Sequence, residues 1–265
     1  MFRDKAKGVT NKSKIKSKSF KISIAIGYSY GIINIEIKKE RGIKMKTYVN
    51  ESEKVFVKVE NDECAESPRE WDNLWNILTW TSRYNSIDTN QFRDLEEFLL
   101  DNLTEKQMVN LYKGKPSTQE FFERIQKRFY DLGYLVEPIS KYEHSGVSYS
   151  VGVSQGWDVG VVGLAMVNIN DIKKEYGASV LSKSLKEKVY SVLIGELDTY
   201  NLWANGEVYT VSLVDFEGNY IDSLWGMIGY DSEEAMVKEY IDYYTNYNFE
   251  DFKLKELVEK VTYQF

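Results

Sequence analysis

Apolar and polar positions change their period more than once along this chain. Residues 54–60, Lys-Val-Phe-Val-Lys-Val-Glu, alternate and predict a strand. A helical period follows. Ser67-Pro68-Arg69-Glu70 offers a Ser cap, a Pro at the first helical position and a Glu three residues after the cap. The spacing of Trp71, Leu74, Trp75 and Leu78 then predicts one apolar helix face reaching to Trp80. Residues 92–103 predict an acidic helix with Leu95, Phe98 and Leu99 inward. Thr104-Glu-Lys-Gln107 opens a short helix. Ser117-Thr-Gln-Glu120 opens another, with Phe121, Phe122, Ile125 and Phe129 as its buried stripe and Gly133 as its stop.

From Tyr134 the period becomes two, and 135–142, 146–153 and 159–167 predict three strands. A short helix over 170–176, closed by Gly177, precedes a long one capped by Ser184, with Leu185, Val189, Val192, Leu193, Leu197 and Tyr200 on one stripe. Residues 208–214 and 220–225 predict a hairpin across Asp215-Phe-Glu-Gly218. Helices over 232–247 and 250–261 end the chain. This order predicts an α+β fold: an antiparallel sheet with several packed helices and a helical N-terminal half. Residues 45–265 are expected to form a single domain, with Lys113-Gly-Lys-Pro-Ser117 as the joint if it has lobes (45–115 and 116–265).

Charge changes the picture at the N-terminus. Residues 1–44 hold 12 Lys and Arg against 3 acids, whereas 45–265 hold 22 against 38, a net of −16. Residues 1–19 are a Lys/Ser tract without apolar period. Residues 20–37 are too polar and short to span a bilayer, and no small-residue cleavage site follows them. Lys38-Lys39-Glu40-Arg41-Gly42 can be encoded by a purine run containing AAGGAG, the core of a bacterial ribosome-binding site, just ahead of Met45. Residues 1–44 are therefore expected to be a basic leader, disordered or not natively translated.

One Cys, Cys64, excludes an internal disulfide and Cys-rich metal sites, and points to a reducing, cytoplasmic compartment. One His, His144, excludes paired-His chemistry. It sits in Tyr142-Glu-His-Ser-Gly146, about a dozen residues before Trp157-Asp158-Val-Gly160, and Asp222-Ser-Leu-Trp225-Gly226 echoes the second motif. His144 as base with Asp158, or Ser145 as nucleophile, is one reading. Adjacent strand residues face opposite ways, however, which leaves a hydrogen-bonded turn as the other. Trp157 with Asp158 and Trp225 with Asp222 can stack a base or take a guanidinium, or can simply fill core and turns. The candidate binding residues are thus Tyr142, His144, Ser145, Trp157, Asp158, Asp222 and Trp225. Gly152-Val-Ser-Gln-Gly156 lacks a phosphate-loop ending. Glu96, Glu97 and Asp101 share a helical spacing that ordinarily marks a solvated face, so neither metal nor cofactor is expected. Tyr240, Tyr243, Tyr244 and Tyr247 suit a wet interface or partial core equally.

Ser67-Pro-Arg-Glu-Trp-Asp-Asn73, Tyr142-Glu-His-Ser-Gly146, Trp157-Asp-Val-Gly160, Glu175-Tyr-Gly177 and Asp222-Ser-Leu-Trp-Gly226 resemble, in order, a family of phage, prophage and mobile-element proteins. The resemblance implies a mobile-element setting in a bacterial host and a start near Met45. It brings no activity or catalytic residue with it. One departure is Tyr149-Ser-Val-Gly-Val153, where relatives look richer in Ser and Thr. The expected function is an accessory protein that binds a host protein with a basic surface, in the form of a host-defence (CRISPR or restriction) inhibitor. No membrane and no direct nucleic-acid contact are expected, because so acidic a body repels phosphate. The alternative is a small enzyme or nucleotide-binding protein with a pocket around His144, Trp157 and Asp158. The lack of a catalytic signature points away from an enzyme.

Overall fold

The computed structural model describes residues 20–24, 33–37, 46–80, 87–88 and 92–256. In chain order the strands are β1 (Phe20–Ile24), β2 (Ile33–Ile37), β3 (Lys46–Asn50), β4 (Val55–Asn61), β5 (Asn76–Thr79), β6 (Tyr134–Glu143), β7 (Val147–Val151), β8 (Val159–Asn168), β9 (Val208–Asp215), β10 (Tyr220–Ile228) and β11 (Lys253–Glu256). The helices are α1 (Leu95–Asn102), α2 (Glu105–Tyr112), α3 (Thr118–Asp131), α4 (Ile169–Glu175), α5 (Lys183–Ala204) and α6 (Glu233–Tyr244). The class is α+β. The chain divides into two compact units, one from 1–59, 211–223 and 237–265, the other from 60–210 and 224–236. Among the described residues no helix is long and apolar enough to cross a membrane.

In the first unit, β1 and β2 pair antiparallel within the stretch expected to be leader. The Lys/Ser tract of 1–19 lies outside the described residues. The five-stranded sheet has the order β10-β9-β4-β3-β11. The expected 208–225 hairpin is present: the Asp215 carboxylate accepts the N–H groups of Glu217 and Asn219, and Gly218 takes φ +90°. The expected helix over 250–261 is not. A 3-10 turn, Phe249–Asp251, leads into β11, which pairs antiparallel with β3, Lys253 opposite Val49. The alternation Phe252-Lys-Leu-Lys255 satisfies a strand, and the free side of β3 takes it up; residues 257–261 lie outside the described residues. Helix α6 buries Tyr240 and Ile241 and leaves Tyr243 and Tyr244 exposed, so its tyrosines divide between core and surface.

The second unit is built on a four-stranded antiparallel sheet, order β5-β8-β6-β7. Side chains alternate between two cores. Ile77, Leu135, Ile139, Ala165 and Val167 pack with Ile172 of α4 and Val189, Leu193 and Leu197 of α5. Leu78, Val136 and Leu164 pack with α1, α2 and α3 through Phe98, Leu99, Met108, Leu111, Phe122, Ile125 and Phe129. Helices thus cover both faces of the sheet. The caps at Thr104 and Ser117 form as expected, with Gln107 and Glu120 accepting the cap N–H groups. The cap of α5 falls at Ser182, whose hydroxyl accepts from Leu185 N–H, rather than at Ser184.

The helix expected over 67–80 is replaced by a single 3-10 turn, Pro68–Glu70, and by β5. Ser67 caps this turn by accepting from Arg69 N–H, not through a reciprocal bond with Glu70. The reason lies in burial on both faces. Trp75 and Ile77 enter one core and Leu78 and Trp80 the other, and a strand covered on both sides reads as a run that also fits a helical stripe. β5 and β8 approach so closely that a Cβ at Gly163 would lie 2.0 Å from the Leu78 carbonyl oxygen.

β7 is an edge strand whose outward backbone is closed by side chains of α5. The Asn201 amide accepts from Tyr149 N–H (2.7 Å) and donates to Tyr149 C=O (2.9 Å). One turn later, Asn205 does the same for Val147 (2.9 and 2.7 Å). Two amides at i and i+4 stand in for a neighbouring strand and occupy the groups through which edges aggregate. Asn201→Ala is expected to cost about 1–3 kcal/mol, since it strands two part-buried polar groups, and the more exposed Asn205→Ala less. Urea denaturation measures the cost, and sedimentation of the double variant is expected to reveal self-association.

Candidate ligand-binding cleft

The β6–β8 register sets His144 beside Asp158. Tyr142 pairs with Val159, Glu143 N–H donates to Asp158 C=O (3.2 Å), and His144 N–H donates to Gly146 C=O (3.2 Å). His144 Nδ1 stands 3.8 Å from Asp158 Oδ2, with the side chains 70% and 49% exposed. Tyr142, Ser145 and Trp157 are exposed at the same end of the sheet. Asp222 and Trp225 are exposed on β10, and Asp222 belongs to the first unit. Five of the seven candidate residues therefore share one surface, and none of them lines a cavity described below.

A sizeable cavity in the second unit lies elsewhere. It is an open cleft of about 890 Å³ between the 67–76 loop, residues 87–88, β7 and the end of α5. Trp71, Tyr149, Tyr200 and Trp203 give it aromatic walls; Tyr149 meets Tyr200 edge-on at 5.6 Å, and Tyr200 lies 5.5 Å from Trp203. Trp203 Nε1 is fixed to Ala65 C=O (3.0 Å) and Trp75 Nε1 to Val189 C=O (3.0 Å). Burial first, then the nearby Asp88 carboxylate, push the Tyr200 phenol above its ordinary pKa against the pull of Arg69. A smaller depression of about 510 Å³ is lined by Phe92, Glu97, Leu100 and Asp101.

Arg69 anchors the cleft floor, and its side chain is 3% exposed. Nε and Nη2 grip the two oxygens of Asp88, each at 2.8 Å. Nη2 also donates to Trp75 C=O (2.5 Å), while Nη1 donates to Glu196 (3.0 Å) and Asn73 Oδ1 (3.1 Å). A guanidinium has five N–H groups, and all five are engaged. The carboxylates are tied in turn: Glu196 accepts from Leu74 N–H (2.7 Å) and Asp88 from Ile77 N–H (2.6 Å). Burial works against the charge of Arg69, but Asp88 and Glu196 outweigh it, so its pKa lies above the ordinary value. Lys141, also buried at the cleft, holds Glu143 at 2.7 Å. Neither cation is left open to an anionic ligand.

A second buried acid, Glu137, lies on the part of β6 that β7 does not cover. It accepts from the Tyr190 hydroxyl of α5 and from Gln126 Nε2 of α3 (2.7 Å). Desolvation raises its pKa; Tyr190, Gln126 and Lys186 pull the other way without cancelling the rise. Burial and Glu137 together raise that of Tyr190. Among the described residues no three His, Cys, Asp or Glu side chains converge to hold a metal. Glu97, one of the three acids at helical spacing, accepts from Arg93 N–H (2.7 Å).

Arg69 lay in plain sight within 67–73, but local spacing gives no sign that Asp88 and Glu196 converge on it. Glu137, an acid amid Leu135-Val136 and Pro138-Ile139, did carry a signal, because an acid within an apolar strand needs a buried partner. Fold and cleft define an α+β protein with an open, aromatic-walled and cation-neutralised groove. No family model matches the chain, and no curated protein and no solved structure matches it.

Arg69→Met is expected to destabilise the protein by about 3–5 kcal/mol, because Asp88 and Glu196 then face each other uncompensated. Arg69→Lys should recover only part of this, an ammonium having three donors for five acceptors. Equilibrium denaturation orders the two. For Glu137, a folded-state pKa above the unfolded one means stability that is full below the ordinary glutamate value and is lost as pH rises through the raised value. Glu137→Gln, with the Gln126 amide turned over to accept, is expected to remove that loss. Its denaturation midpoint should vary less than the wild type's between about pH 4 and about pH 8.

Proposed function

We propose that the protein acts as a binding module for a partner protein with a basic surface. The observation that carries this reading is the charge of residues 60–72. Six acids (Glu60, Asp62, Glu63, Glu66, Glu70 and Asp72) accompany one cation, Arg69, and that cation is buried and directed inward. The same imbalance extends over 45–265, with its net of −16. Such a field attracts basic surfaces, speeds encounter with them and repels nucleic-acid phosphates. In the mobile-element setting implied by the sequence motifs, the partner is a host protein with a basic nucleic-acid channel, such as a defence nuclease, and the acidic protein occupies that channel in place of DNA or RNA. The reading of a small enzyme or nucleotide binder around His144, Trp157 and Asp158 has less support. These side chains are open to solvent and line no cavity among those described above.

The complex is expected to weaken about tenfold or more as salt rises from about 0.05 to about 0.5 M, and to be displaced by duplex DNA added in competition for the partner. Titration of the purified pair by calorimetry measures both. A gel shift of plain DNA or RNA by this protein alone would overturn the reading.

A further inference from the structure

We infer that the cleft of the second unit receives a single arginine side chain of the basic partner. The inference rests on the partner reading above and assigns it a seat. Anionic ligands are disfavoured first. All five N–H groups of Arg69 have acceptors, Lys141 is held by Glu143, and so no cation of the cleft is left to meet a phosphate or carboxylate. The Asn73 amide is also occupied: its oxygen accepts from Arg69, and its nitrogen donates to the carbonyls of Pro68 and Trp71.

What the cleft does offer is aromatic faces and open carboxylates. Trp71, half exposed, and Trp203 both line it, and Glu70 and Asp72, on either side of Trp71 in the chain, are exposed lining residues with no ion pair among the described residues. An indole face attracts a cation, and a planar guanidinium stacks on it while its edge donates to carboxylates. Arginine fits this combination better than lysine, whose compact ammonium is more strongly hydrated and cannot stack. The cleft is wide enough, at about 890 Å³, to admit the side chain together with the backbone that carries it. Its walls are also held in place before binding, by the Arg69 network on one side and the Trp203–Ala65 bond on the other.

The test uses the full chain at low salt, following tryptophan fluorescence and calorimetry with a short Gly/Arg peptide and its Gly/Lys and Gly/citrulline counterparts. Citrulline keeps the planar shape of arginine without its charge. The Gly/Arg peptide is expected to bind at least about tenfold more tightly than the citrulline peptide, and measurably more tightly than the lysine one. Trp71→Ala, and separately the pair Glu70→Gln with Asp72→Asn, should each weaken the Gly/Arg peptide about tenfold without moving the thermal unfolding midpoint. Unchanged affinity in these variants, with the wild type still preferring arginine to citrulline, overturns the cleft as the seat and leaves the basic partner standing. Equal affinity for the lysine peptide overturns arginine as the occupant. A wild type that does not distinguish arginine from citrulline overturns both the seat and the partner reading. Tighter binding of adenosine monophosphate than of the Gly/Arg peptide overturns the inference in favour of a nucleotide site.

Discussion

The ion network around Arg69 is the constraint on which the second unit turns. Taking a guanidinium and two carboxylates out of water costs several kcal/mol per ion, and that cost is offset only where geometry is good and every remaining polar atom has a partner. Here all five guanidinium donors are used. The second oxygen of Glu196 holds Leu74, and Asp88 holds Ile77. The network joins three stretches distant in sequence: the 67–76 loop, residue 88 and α5. Because Asp88 grips the first residues of β5, the network also fixes where that strand enters the sheet, and with it which side chains face which core. A hydrophobic replacement could supply as much stability, but it would not determine the path of an irregular ten-residue loop whose own backbone makes few regular bonds.

The consequences for legibility follow from the reach of each signal. Where structure is decided within a few residues, the sequence mostly read correctly, the caps expected at Ser184 and in Ser67–Glu70 being the exceptions. The Thr104 and Ser117 caps, the Gly133 and Gly177 stops and the period-two strands expected over 135–142 and 159–167, which form as 134–143 and 159–168, all depend on neighbours. Where a distant partner decides, it did not. Residues 71–80 carry a helical spacing of large apolar groups, yet Glu196, over a hundred residues on, takes the backbone N–H groups of Leu74 and Trp75 in the loop that leads into β5. Residues 253–256 have both helical and strand character, and the unpaired side of β3 selects the strand. The edge-closing amides of α5 were invisible for the same reason. Asn201 and Asn205 read as ordinary polar positions on an amphipathic helix, and only the packing of α5 on β7 gives them their role.

Site residues show the same division in a sharper form. Rarity drew attention to His144, and the register of β6 on β8 does bring it to Asp158. Rarity is a statistical property, however, and carries no information about desolvation. A pair 3.8 Å apart with both groups largely in water interacts through a high dielectric and is worth little for stability. The residues of the cleft are common types, Trp, Tyr, Asp and Glu, and nothing in their spacing joins 71 to 149 and 203. Their significance comes from convergence on one cleft, whose aromatic walls offer apolar area that a ligand can cover.

Charge placement connects the interior to the surface. The second unit neutralises its buried cations with buried or half-buried carboxylates, Arg69 with Asp88 and Glu196, and Lys141 with Glu143. Lys186 lies over the rings of Tyr130 and Tyr190 and favours the charged form of Glu137. On the surface, the exposed acids of 60–72 outnumber the single cation of that stretch, Arg69. The Arg69 and Lys141 networks match two cations with three carboxylates, so the acidity outside them reflects the composition of 45–265, with its net of −16. The Arg69 network holds the cleft in shape, and the exposed carboxylates of Glu70 and Asp72 line it on either side of Trp71 in the chain.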